Sequence, residues 1–393
     1  MNILFCYPTL FNPMRGGIER VTDILAKELI KRGYNVFYLH NKRDESLMDY
    51  DYPAPVGFFP EVDYRDNRNV PFYHDFLKEN RIDIVINQCG NFNDSILYLN
   101  VTAGVKTISV LHSNPQLNYA HLPSEVLKLR EKSLMEYLKL AGRFILYPRI
   151  KRAYLKRRKW QIDYLSSHTD VICLLSGKFK PVMKSLSDKN NAEAVFCKIR
   201  VIPNPNTYEV VGDARFEKEN ILLYVGRLAK GEKRPDRLVS IWKKLYKRFP
   251  DWKMVIVGDG PEREALIKKS RGLERIYFEG FKNPAEYYKR ASIFCMTSNF
   301  EGWPMVLAEA MVNGVVPLAF DSYASVRDII ECGKTGFLIK PFDLDEYAGK
   351  LAELMHNDGL RADIGENAKK SVKKFSKEKI TDEWVNLFKE LKS

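Results

Sequence analysis

Residues 297–320 read T-S-N-F-E-G-W-P-M-V-L-A-E-A-M-V-N-G-V-V-P-L-A-F. They follow the apolar run Ile293-Phe294-Cys295-Met296, which has the length and composition of a buried strand. Ser298 to Trp303 then form a loop. Pro304 suits the first position of a helix, where a missing N–H costs nothing. The helix carries Met305, Val306, Leu307, Ala308, Ala310, Met311 and Val312, apolar on nearly every side, and Asn313-Gly314 stops it. Such a helix is buried. Yet Glu309 sits in its middle and Glu301 stands just before it, and a buried carboxylate needs partners or it neutralises.

One arrangement accounts for both acids and for the helix start. A polyhydroxylated ligand is gripped at two ends, with an anion on the backbone N–H groups between Trp303 and Val306, where a helix N-terminus favours negative charge. Glu309 lies about 8 Å along the axis from Pro304, and with the loop added the two carboxylates stand on the order of 10 Å apart. That is the reach of a nucleotide sugar. The same spacing also admits a loop charge at Glu301 and a Glu309 that caps a neighbouring element.

Outward from this stretch the second half alternates strand and helix. Strands are expected at Ile221 to Val225, Lys253 to Val257, Arg275 to Phe278, Ile293 to Met296 and Val315 to Phe320, and Thr335 to Leu338 closes the sheet. Helices are expected over Pro235 to Phe249, Pro261 to Lys269 and Pro284 to Arg290. This rhythm means a parallel, doubly wound sheet. Gly226-Arg227-Leu228 and Lys233 follow its first strand, and Gly258-Asp259-Gly260 follows its second. Arg offers a fork of donors for phosphate oxygens and Lys a mobile point charge.

The first half opens with a strand at Met1 to Tyr7, a loop ending Gly16-Gly17, a helix over Ile18 to Arg32 and a strand at Asn35 to Leu39. The loop is not G-x-G-x-x-G, so the dinucleotide fingerprint is absent. A helix is expected over Phe72 to Glu79, with strands at Ile82 to Asn87, Thr107 to Leu111 and Asp170 to Leu175. His112 follows a strand end, where open α/β sheets bind ligands. Pro115 to His168 reads as helical. Within it the apolar patch Phe144-Ile145-Leu146-Tyr147 adjoins a basic run from Arg149 to Lys159, with Tyr154 and Trp160 interleaved. That composition suits an anionic membrane surface. Pro203 and Pro205 break the chain before a polar run to Asn220, which reads as a linker. Phe375 to Leu391 is a final amphipathic helix with Trp384 on its apolar face.

The 393 residues favour two domains, and a net charge of +13 points to an anionic partner. Basic residues cluster in one segment and the acid pair has no use on a polyanion, so a nucleic-acid-binding protein is the weaker reading. No apolar run reaches a bilayer-spanning length. Met1 to Phe5 enters a strand with no signal peptide expected. Cys6, Cys173 and Cys295 read as reduced core residues of a cytoplasmic protein. Asp49-Tyr50-Asp51 follows no hydrophobic strand and Asp343-Leu344-Asp345 follows a Pro-Phe turn, so no metal site is expected at either.

Glu301-Gly-Trp-Pro-Met-Val-Leu-Ala-Glu309 resembles the E-x7-E signature of the retaining glycosyltransferases of family 4, which have the GT-B fold. Many members carry Phe-Gly where Trp303-Pro304 stands here. The G-R-L with Lys233 resembles the family's pyrophosphate clamp, Val257 to Pro261 its turn near the base, Gly16-Gly17 its N-terminal glycine loop, and Val201 to Asn206 its I-P-N element at the domain junction. The resemblance implies two Rossmann-like doubly wound parallel-sheet domains facing across a cleft. The acceptor-side domain is 1–205, completed by a C-terminal helix at 375–393, and the nucleotide-sugar-binding domain is 206–374. It implies Glu301 and His112 on the donor sugar, Glu309 on the ribose, and Arg227 and Lys233 on the diphosphate. Gly16, Gly17, Gly226, Gly258, Trp303, Pro304, Met305 and Val306 complete the donor site. The co-substrate is a UDP- or GDP-linked sugar, with no cofactor and no metal. The acceptor is a glycan or lipid-linked glycan precursor of a cell-surface polysaccharide or glycolipid. The enzyme is expected to be cytoplasmic, peripheral at the inner membrane face through Phe144 to Trp160. A GT-B sugar-nucleotide epimerase, with the same donor clamp and no acceptor, is the alternative.

Overall fold

The computed structural model describes residues 1–13, 16–44, 46, 50–90, 93–115, 134–188, 190–209 and 217–393. The chain divides into two compact units, Met1–Pro205 with Lys377–Ser393, and Asn206–Ser376.

The first unit holds a seven-stranded sheet: β1 Asn2–Thr9, β2 Asn35–Lys42, β3 Val56–Phe58, β4 Ile84–Asn87, β5 Lys106–Leu111, β6 Val171–Leu174 and β7 Ile199–Val201. The order is β3-β2-β1-β4-β5-β6-β7, with every pairing parallel. A central parallel strand is covered on both faces and reads as a continuous apolar run. Ile3, Leu4, Phe5 and Cys6 accordingly are all buried. Strand order reverses between β1 and β4, so the connections leaving their carboxyl ends run in opposite directions and leave a crevice for a ligand. The helix Gly17–Lys31 leads from β1 to β2. The helix Lys377–Lys392 packs against it, with Arg32 donating to Asp382 at 2.6 Å and to the Glu378 carbonyl at 2.9 Å. Trp384 and Phe388 are buried on its inner face.

The second unit holds six parallel strands: β8 Glu219–Val225, β9 Lys253–Val257, β10 Ile276–Gly280, β11 Ala291–Met296, β12 Val316–Phe320 and β13 Phe337–Ile339. The order is β10-β9-β8-β11-β12-β13, reversing between β8 and β11. The helix Asp236–Leu245 buries Leu238, Ile241, Trp242 and Leu245, and the Trp242 indole N–H donates to the Glu274 carbonyl at 2.9 Å. Helices Leu344–His356 and Asp358–Ser371 follow the last strand.

The helical reading of Pro115 to His168 holds over Leu134–His168, one helix with Pro148 inside it. The structure corrects some local readings. The helix after β11 begins at Met305; Pro304 is its cap, with φ −78° and a non-helical ψ of 86°. Asp343, one acid of the D-x-D at 343–345, caps the helix Leu344–His356 by accepting from the N–H groups of Asp345 and Glu346 at 3.1 and 3.0 Å. The other D-x-D begins at Asp49, outside the described residues.

Candidate active site

In the second unit the reversal between β8 and β11 brings together loops about seventy residues apart in sequence. The loop after β8 carries Arg227 and Lys233, and the loop after β11 carries Glu301. The two are laced by backbone and side chain. Asn299 donates from its N–H to the Glu232 carbonyl at 2.7 Å, and from its amide to the Gly231 carbonyl at 2.8 Å. The Thr297 hydroxyl donates to the Arg234 carbonyl at 2.9 Å. Arg237, packed over the Phe342 ring, donates to the Thr297 carbonyl at 2.9 Å.

This lacing sets the Lys233 ammonium against both oxygens of Glu301, at 2.7 and 2.8 Å. The Ser298 hydroxyl donates to the same carboxylate at 2.8 Å. The pair is only part-covered, with 24% and 11% of the two side chains exposed, so a ligand can reach both charges. Arg227 is more open, at 61%, and pairs with Glu232. Beside it the turn after β9 comes close: a Cβ on Gly258 would lie 2.0 Å from the Gly226 carbonyl oxygen, and Gly258 has φ 136°. Only glycine permits that approach.

Glu309 lies one loop and a helical turn further on, 1% exposed. One carboxylate oxygen accepts from the Thr207 hydroxyl at 2.7 Å and the other from the Tyr288 hydroxyl at 2.9 Å. These partners answer the question posed by a carboxylate in an apolar helix. They lie on segments far from it in sequence, which is why the sequence reading missed them. Lys218 braces the same region, donating to the carbonyls of Tyr288, Lys289 and Asn313 at 3.2, 2.9 and 2.7 Å. Burial, and then the charge of Lys369, lower its pKa to about 7. Trp303 is buried edge-on against Phe375, with ring centres 5.0 Å apart. Met305 and Val306 are half-buried at the helix start. The donor set expected there needs one correction: the Met305 N–H donates to the Trp303 carbonyl at 3.0 Å, because Pro304 turns the chain before the helix begins.

In the first unit Gly16 caps the helix Gly17–Lys31. The Glu19 carboxylate lies folded over Gly16, and burial raises its pKa. His112 follows β5, and its Nε2 is 2.5 Å from the Gln88 amide oxygen at the end of β4. Burial lowers the His112 pKa to about 3, so the ring is neutral. Among the described residues its other nitrogen, Nδ1, is buried without a hydrogen-bond partner. Gln88, like Thr207 and Tyr288, is a neighbour that the sequence reading did not single out.

The second unit thus sets a paired cation and carboxylate at the switch point of a parallel sheet, with a second carboxylate buried in the following helix. The model described as Glycosyl transferases group 1 matches residues 211–371, and that described as Glycosyltransferase Family 4 matches residues 15–205. The chain belongs to the family-4 glycosyltransferases of the GT-B fold.

A Campylobacter jejuni α-1,4-N-acetyl-D-galactosaminyltransferase named for a diNAcBac-PP-undecaprenol-linked acceptor is 29% identical over 61% of this chain and 66% of its own length. The Staphylococcus aureus poly(ribitol-phosphate) α-N-acetylglucosaminyltransferase is 27% identical over 60% of this chain and 47% of its own. The chain thus spans about half to two thirds of the length of such curated relatives. The Anabaena protein HepE, solved with UDP and glucose, has the same fold at 16% identity and TM-score 0.73, over 99% of this chain and 100% of that one.

Proposed function

We propose that this chain is a retaining glycosyltransferase that moves a sugar from a nucleoside diphosphate to a hydroxyl of a glycan or lipid-linked glycan acceptor. The observation that carries the reading is the Lys233–Glu301 pair at the β8/β11 switch point. An ammonium of three donors, two of them on a carboxylate, has one left for a phosphate oxygen. Glu301 accepts from sugar hydroxyls, Glu309 from the ribose, and Arg227 binds the diphosphate as a planar fork.

The bond from the anomeric carbon to the diphosphate breaks while the acceptor oxygen bonds to the same face of that carbon. The acceptor proton passes to the departing diphosphate. Negative charge developing on the leaving group is stabilised by Arg227, Lys233 and the start of the helix Met305–Val312, fixed dipoles and charges that need no metal in this reading. UDP, present in the HepE structure, is the nucleotide to try first, with GDP second.

The Campylobacter relative is named for an undecaprenol-linked glycan, and that acceptor class fits one further feature here. Phe144, Ile145 and Leu146 are exposed beside the basic run of their helix. We therefore place the enzyme at the cytoplasmic face of a membrane, bound peripherally. No helix among the described residues is long and apolar enough to cross a membrane.

A thermal-shift panel of nucleoside diphosphates tests the donor. A ligand at 100 times its Kd adds about 2.7 kcal/mol of stability. A panel in which no nucleoside diphosphate stabilises the chain would overturn the reading.

A further inference from the structure

We propose that Gln88 is a positioning residue that fixes the His112 imidazole as its Nε2–H tautomer, so that Nδ1 offers a lone pair to a hydroxyl of the donor sugar. This rests on the reading that His112 touches that sugar. Strands β4 and β5 are neighbours with Asn87 opposite Ser109, so the residues leaving their carboxyl ends, Gln88 and His112, meet at the edge of the crevice. The turn holding Gln88 is tied down by hydrogen bonds. Its N–H donates to the Cys6 carbonyl at 3.0 Å. The Asn87 side chain accepts from the Cys89 N–H at 3.0 Å, and donates to the hydroxyls of Ser95 and Ser109 at 2.9 and 3.1 Å. Gln88 itself is 2% exposed.

An amide oxygen can only accept, so the His112 Nε2 that faces it at 2.5 Å must carry the proton. A neutral imidazole has one N–H, and Nδ1 is then a bare acceptor. It is buried and unpaired among the described residues, a costly state that a sugar hydroxyl would relieve. The opposite tautomer would place an N–H at Nδ1 and could not receive a hydroxyl proton. Gln88 thereby chooses the hydrogen-bond sense of the site without touching the substrate.

The test uses the full chain labelled with ¹⁵N, its His112 ring signals assigned by their loss in His112→Ala. At neutral pH the wild type should give a pyrrole-like Nε2 and a pyridine-like Nδ1. Gln88→Leu should mix the tautomers and lower kcat about tenfold, the scale of one hydrogen bond, with affinity for the free nucleoside diphosphate unchanged. Gln88→Glu, which keeps an acceptor at Nε2, should keep the wild-type tautomer and recover most of the rate. An Nδ1–H ring in the wild type, or a ring that ignores Gln88→Leu, overturns the role of Gln88. If the tautomer follows Gln88 but kcat does not, the catalytic link fails; if His112→Ala also turns over normally, the failure lies in placing His112 on the sugar.

Discussion

Lys233 and Glu301 were each readable in the sequence, one from a G-R-L loop and one from an acid before a buried helix. Their pairing was not, because it is made by strand order. The consequence is that neither charge can be removed alone without stranding the other. Part-covered as the pair is, its loss should cost between the roughly 1 kcal/mol of an exposed pair and the about 3–5 kcal/mol of a buried one. Lys233→Met and Glu301→Gln should therefore each lower the denaturant midpoint, and the double variant should lose less than their sum. Strictly additive losses in that cycle would mean the pair contributes nothing. Catalytically the two acids should separate. Glu301→Gln should leave free nucleoside diphosphate binding near normal and slow turnover about a hundredfold or more. Glu309→Gln should weaken that binding about tenfold, since the carboxylate it replaces accepts from Thr207 and Tyr288 and is the group proposed to hold the ribose. Isothermal titration and steady-state rates on the same preparations decide it; equal weakening by both variants would remove the assignment along the donor. Turnover that survives excess EDTA is expected as well, and loss restored by manganese would defeat the account in which Arg227 and Lys233 carry the diphosphate charge.

At the scale of elements, the central strands were legible because parallel strands covered on both faces must be apolar throughout. β3 and β7 were not, being three residues each and shorter than any periodic signal. The helix Leu134–His168 was legible in the sequence. Residues 134–168 form one helix, as the helical reading of Pro115 to His168 expected, and it runs through Pro148 although proline removes a donor and crowds the preceding turn. Its surface is what the composition could not reveal. Phe144 and Ile145 are 70% and 77% exposed. Arg158 is buried with its guanidinium on the Pro115 carbonyl, and Lys159 is paired with Asp188. Within the basic run the exposed cations are Arg149, Arg152, Lys156 and Arg157. With Ile145 the first three fall at positions i, i+4, i+7 and i+11, one helical face. Each cation near an anionic leaflet is worth about 1 kcal/mol. Changing these four to Gln should abolish sedimentation with anionic vesicles, which wild type should show at low salt and lose at high salt, while nucleotide affinity stays unchanged. Wild type that ignores such vesicles would point to an acceptor away from the membrane.

On the scale of the whole molecule, the two units should answer different chemical signals. Among the described residues the histidines with lowered pKa values are His40 and His112, both in the first unit, where burial brings them to about 4 and about 3. The unfolded chain has histidine near 6.5. Here the folded values are depressed, so the unfolded state binds more protons below about pH 6.5, and stability is lost as pH falls from there toward 4. Each histidine contributes a slope of about 1.4 kcal/mol per pH unit in that window. Glu19 and Asp94, whose pKa values burial raises, oppose part of this. In the second unit Asp236, Glu279 and Asp321 are held below their usual values by Arg or Lys neighbours. That stability is kept above about pH 4.5 and lost only below it. Lys218, lowered to about 7, is charged in both states through the histidine window and adds no slope there. Acidification from pH 7 to 5 should therefore pull the melting of the first unit ahead of the second. Arg227, Lys233, Glu301 and Glu309 all lie in the second unit, so a bound nucleoside diphosphate should raise the later transition. Calorimetry at pH 5, with and without ligand, should resolve two transitions, the upper one moving with ligand and the lower one moving back up in His40→Phe. Two transitions that shift together under ligand would place part of the nucleotide site on the first unit.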